Sequence, residues 1–211
     1  MRRILGTLLI LAGMGIVAFA AFQFIEHRVN MQEAMAEANT LIRQSSTVDP
    51  SADEHADQAT YQNQLLARAK FDPQLDEVIG VLEVPKLEAE LPIIEGTEEE
   101  MLARGVGHFS GTAFPMDNEQ ILLSGHRDTV FRNFDKLAVG DRFIVTLPYG
   151  TFEYEIKSTD IVDKDDTSVI RSMGTEVLVV STCYPFRYVG NAPERFVFYA
   201  YPVEGEDSRD S

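Results

Sequence analysis

The 211-residue sequence has no tryptophan and a single cysteine, Cys183. One thiol excludes an internal disulfide, so the fold must rest on its core rather than on cross-links. Basic residues are scarce: 18 Lys and Arg stand against 34 Asp and Glu, a net charge of -16. That balance excludes nucleic-acid binding through a basic surface. The close Cys and His spacing of a zinc site is missing. So is a phosphate-cradling loop, because Gly105, Gly107 and Gly111 do not sit between a strand and a helix. No fixed repeat appears, and no long helical period follows each strand, which excludes a doubly wound fold.

What is present begins with an apolar N-terminus. Arg2 and Arg3 precede a run from Ile4 to Phe22 without a charge. As a helix it measures about 28 Å, so the spacing predicts a transmembrane helix in residues 1–25. Two leading arginines predict a cytoplasmic start, with the rest of the chain outside the cell. Residues 26–75 read as a helical stalk and an acidic linker. Met31, Met35, Ala38 and Ile42 line one stalk face, and Pro50 breaks the linker. "YQNQLLARAKF" predicts one short helix against the domain edge. Residues 76–203 read as the folded unit and residues 204–211 as a polar tail.

The folded unit is predicted to be all-β. Short runs rich in Val, Ile, Phe and Tyr are bounded by Gly, Pro, Asp or Asn. They fall at 78–85, 90–94, 120–126, 142–148, 151–162, 176–182 and 195–202. A hairpin is expected around Pro148 to Gly150. Phe152, Tyr154 and Ile156 alternate with Glu153, Glu155 and Lys157, giving one dry and one wet face. A small closed or nearly closed barrel suits this pattern.

Cys183 ends an apolar strand whose parity sets Val179, Ser181 and Cys183 on one face. Arg195, Val197 and Tyr199 share a face of the last strand. If these strands pair, Cys183 and Arg195 meet at one sheet end, and thiols beside a cation are the reactive ones. Of the four histidines, His27 follows the apolar run and His55 lies in the linker. His126 leaves an apolar strand for a polar loop, while His108 lies in a Gly-rich loop. Either of the last two suits general acid and base work. Glu98 to Glu100 and the "DKDD" run at 163–166 are acidic clusters. They lack the calcium-loop pattern, so no cofactor is expected beyond calcium modulation.

Three blocks together resemble the sortases, membrane-anchored cysteine transpeptidases of Gram-positive bacteria. They are "RGVGHFSGTAFP", "ILLSGHRDTVFRNFDKLAVGDRF" and "STCYPFRYVGNAPERFVFYA", within about residues 76 to 202. The last block looks most like class D sortases. The resemblance implies an eight-stranded β-barrel and a catalytic set of Cys183, His126 and Arg195. It leaves His108 and Asp128 in supporting places. Thr182 matches the family's threonine before the nucleophile, whereas Val179-Val180 stands where Thr-Leu is usual. Substrate contacts are expected from Val179, Ser181, Thr182, Tyr184, Pro185 and Phe186. The implied partners are surface proteins with a C-terminal Leu-Pro-x-Thr-Gly or Ala-like signal, cleaved after Thr, and a peptidoglycan precursor or stem-peptide amine. Class C-like pilin polymerases, which use a lysine acceptor, typically add an Asp-Pro-Trp lid and a second membrane segment. This sequence has no tryptophan and no second apolar run, so wall anchoring is the expectation. Two rivals remain: that polymerase and a non-enzymatic wall-peptide-binding barrel. A serine DD-transpeptidase is disfavoured, because "SADE" and "SVIR" are not Ser-x-x-Lys.

Overall fold

The computed structural model describes residues 2–45, 56–187, 190 and 192–203. The expected linker centre with His55, residues 188, 189 and 191, and the 204–211 tail lie outside the described residues. The chain runs α1 (Arg2–Ser45), α2 (Ala56–Ala69), β1 (Val78–Val84), β2 (Ala89–Glu95), α3 (Glu99–Leu102) and β3 (Val106–His108). It continues through β4 (Gln120–Gly125), β5 (Arg142–Leu147), β6 (Gly150–Asp163), β7 (Val177–Tyr184) and β8 (Glu194–Pro202). The strands close into one barrel in the order β1-β2-β3-β4-β7-β8-β6-β5. The β2–β3 and β4–β7 pairs are parallel.

Period-2 alternation accounts for the long strands. On β6, Tyr154 and Ile156 are fully buried, and β5 alternates likewise through Phe143, Val145 and Leu147. Inside the barrel, Phe134 stacks on Phe131 at 4.1 Å, and Phe143 meets Phe198 edge-on at 5.9 Å. Burial pushes the Tyr154 phenol far above its ordinary range, so it stays a neutral donor, 2.7 Å from Glu176 Oε1.

The strand β3 is absent from the sequence-based expectation, which has Val106 to His108 in a loop. It is three residues long, and glycine gives it room. A Cβ on Gly105 would lie 2.4 Å from the Pro92 carbonyl oxygen, and one on Gly107 would lie 2.4 Å from that of Gly96. The parallel approach to β2 therefore requires both.

The N-terminal expectation is corrected. Among the described residues, no helix is long and apolar enough to cross a membrane. This overturns the transmembrane helix, the membrane as a partner, and the single-pass placement with the catalytic domain outside the cell. The second half of α1 lies against the barrel: Ala34 and Ala38 are buried with Val78, Val81 and Ile94, flanked by Met35 and Ile42.

Candidate active site

The β4–β7–β8 register builds the site in tiers. Leu122 pairs with Val179, which pairs with Tyr199. Ser124 then pairs with Ser181, and Ser181 with Val197. Paired residues share a face, and this face is outside the barrel. Leu122, Val179 and Val197 form an apolar cluster apart from the barrel core, covered by Val162, Val169, Ile170 and Met173. The next tier holds Cys183 opposite Arg195. Gly125 pairs with Thr182 in parallel, so residue 126, one step on, comes up beside residue 183. An imidazole, a thiol and a guanidinium thus end three adjacent strands on one face.

Local contacts fix this tier. Thr182 points the other way and is 3 % exposed; its hydroxyl donates to the Gly125 carbonyl at 2.8 Å. That bond ties the strand bearing Cys183 to the strand leading into His126. Cys183 is a free, half-buried thiol. The Arg195 guanidinium donates to the Glu194 carbonyl at 3.2 Å, leaving further donors on its fork. The His126 side chain is 33 % exposed, with Nε2 3.5 Å from Glu99 Oε1 on α3.

The other expected residues divide. Ser181, Tyr184, Pro185 and Phe186 are half-buried around the tier. Tyr184 and Phe186 meet edge-on at 5.7 Å, and both rings pack on Phe196. Val179 and Thr182 are buried, Val179 in the apolar cluster on the outer face and Thr182 on the opposite side of β7. His108 is turned into the barrel, with Nδ1 2.6 Å from Glu95 Oε2 and the ring stacked on Phe114 at 4.2 Å. Asp128 is exposed and accepts from Arg127 Nε at 3.4 Å.

Sequence reasoning missed Glu99 and Arg127. Glu99 reads as part of a solvated acidic run until α3 brings it to His126. Arg127 stands beside His126 in the sequence, yet nothing in the pattern signals that its side chain is buried. Among the described residues, no group of three or more His, Cys, Asp and Glu side chains is arranged to hold a metal ion.

This geometry can present a nucleophile, a proton carrier and a cationic hydrogen-bond fork to one bound atom set. The comparisons with known proteins agree in kind. A family model, the sortase domain, matches residues 82–203. Sortase D of Bacillus subtilis (strain 168) is 41 % identical over 204 residues, covering 96 % of this chain and 100 % of the relative. The structure of Sortase C1 of GBS Pilus Island 1 aligns with a TM-score of 0.61 and 23 % identity, covering 84 % of this chain and 96 % of that one. Streptococcus pneumoniae Sortase C, in a structure described for catalysis and pilin substrate specificity, aligns with a TM-score of 0.58 and 20 % identity, covering 78 % and 96 %. These two structures show the fold. With the matched domain and the relative of closely similar length, the chain belongs to the sortase family of cysteine transpeptidases and is closely related to Sortase D.

Proposed function

We propose that Cys183, His126 and Arg195 are the reacting set and that the chain cleaves a C-terminal Leu-Pro-x-Thr-Gly or Ala-like signal after Thr. The observation that supports this is the common tier at the ends of β4, β7 and β8. The Cys183 thiolate attacks the threonine carbonyl carbon. The Arg195 fork donates to the developing oxyanion. The carbon–nitrogen bond breaks as His126, entering as imidazolium, gives its proton to the departing amine. A thioester to Cys183 remains. The acceptor amine then loses a proton to His126 and attacks, the carbon–sulfur bond breaks, and the thiolate returns. Water in place of the amine gives hydrolysis.

Ser181, Tyr184, Pro185 and Phe186 form the peptide-facing surface, with Val179 and Thr182 buried in β7. Asp128 and His108 act away from the reacting atoms. Residues 76–203 carry the reaction, and surface proteins bearing the signal are the donors.

The acceptor has two readings. A pilin lysine amine has the more support from the comparisons, since one structural likeness belongs to a pilus island and another concerns pilin substrates. A wall-peptide amine rests on family membership alone. The absent tryptophan, which favours wall anchoring in the sequence, weighs less than these likenesses. The deciding experiment offers the enzyme one signal peptide with equal concentrations of a lysine-bearing pilin fragment and a stem-peptide amine, read by product mass. A dominant pilin–peptide conjugate supports the polymerase reading. A dominant stem-peptide conjugate reverses it, and release of free acid alone defeats both acceptors.

A further inference from the structure

The residue after His126 is a buried cation that the reaction above does not use. Arg127 is 8 % exposed. Its Nη1 donates to the Pro185 carbonyl at 3.0 Å, and its Nη2 to the Gly190 carbonyl at 3.2 Å. These acceptors lie 58 and 63 residues away in sequence. They bracket the start of the connection between β7 and β8, which opens two residues after Cys183. A guanidinium taken out of water must have its donors met. Its planar fork also fixes both direction and spacing. A single lysine nitrogen cannot span two carbonyls in that way.

The consequences follow from what the clamped segment carries. Phe186 is tied on one side to Phe196 and Tyr184. On the other side, a cavity of about 220 Å³ opens between Phe186 and Arg187 and the residues Arg127, Asp128 and Arg132. The Arg127 bonds therefore set how far the 185–187 segment stands from the loop that begins at His126.

We propose that Arg127 is a specificity-determining positioning residue: it clamps the segment after Cys183 and so sets the width of the signal-peptide cleft. This rests on the reading of Tyr184, Pro185 and Phe186 as the peptide-facing surface. Arg127 touches no reacting atom. It acts through the carbonyls it holds.

The test is Arg127→Lys, with Arg127→Gln as a second variant should the first fold poorly. Three readouts separate the roles. Backbone nitrogen-15 relaxation at Phe186 and Arg187 reports the clamp without substrate. The rate of Cys183 alkylation across pH reports the tier, and the label is unambiguous because the chain has one cysteine. Steady-state kinetics with a Leu-Pro-x-Thr-Gly peptide reports the cleft. The expected result is greater backbone mobility at those two residues, an alkylation profile within about twofold of wild type, and KM raised about tenfold with kcat nearly kept. Unchanged mobility would overturn the clamp. So would a loss of kcat at constant KM, which assigns Arg127 to His126, or a fall in melting temperature with kcat/KM unchanged, which makes it structural only. A wild-type enzyme that processed no signal peptide would defeat the functional reading instead, and the relaxation readout would still decide the clamp.

Discussion

Replacing Thr182 by Val tests whether one hydroxyl holds the reacting tier in register. Valine keeps the branched shape and the strand preference, so the change removes little beyond the donor. The lost bond runs 2.8 Å from Thr182 Oγ1 to the Gly125 carbonyl. Both residues are buried. A typical hydrogen bond contributes about 1 kcal/mol net, and an acceptor left unsatisfied costs about 1–3 kcal/mol. A loss of roughly 1–2 kcal/mol is expected, because the Gly125 carbonyl has a second lone pair to satisfy elsewhere. For a chain of this size that lowers the melting temperature by about 2–8 °C. The kinetic consequence is separate. The bond ties the residue before His126 to the residue before Cys183, so its loss lets the imidazole and thiol drift apart. A kcat loss of about tenfold with KM nearly unchanged is expected. Thr182→Ser, which keeps the hydroxyl, restores most of the rate. Calorimetry and steady-state peptide cleavage read the two effects. A Thr182→Val enzyme that is less stable but turns over normally would refute the coupling, and one unchanged in both would refute the bond's role.

Two further outcomes follow from the same geometry. Arg195→Lys keeps the charge opposite Cys183 but loses the fork, so kcat should fall about 10²-fold while the thermal transition stays near wild type; equal turnover would remove the oxyanion role. Glu119 accepts from Ser172 Oγ at 2.6 Å and from the backbone N–H groups of Met173 and Gln120 at 2.6 and 3.0 Å. The Ser172 bond is the largest single cause that holds its carboxyl below the ordinary 4.5, with the backbone bonds adding to it. The sign is fixed: a carboxylate depressed on folding stabilises above pH 4.5 and loses that contribution as pH falls through the folded value. The melting-temperature gap between wild type and Glu119→Gln should narrow as pH drops below 4.5, and a gap constant from pH 7 to 3 would contradict this.

The strand pattern was legible where alternation was long. On β6, Tyr154 and Ile156 against Glu153 and Glu155 announce a dry and a wet face, and both apolar side chains are buried. Parity also brings Cys183 opposite Arg195, since both strands are regular and joined through one connection. The place of His126 needed more. It depends on the parallel pairing of β4 with β7, strands more than fifty residues apart whose sequences carry no sign of each other. The strand β3 escaped because two glycines, needed for close approach, read locally as a loop. Arg127 escaped because burial of a guanidinium depends on distant carbonyls. The N-terminal apolar run reads as an anchor, which no described helix supports, and the stripe expected on one stalk face instead lies where α1 packs against β1 and β2.

The most direct test of the mechanism is the intact mass of the enzyme during turnover of a signal peptide. Wild-type protein should carry an acyl adduct equal to the peptide less its fragment beyond threonine, discharged by an added amine, and Cys183→Ala should carry none. An active enzyme with no adduct under rapid quench, or an adduct that persists in Cys183→Ala, would contradict the thioacyl account.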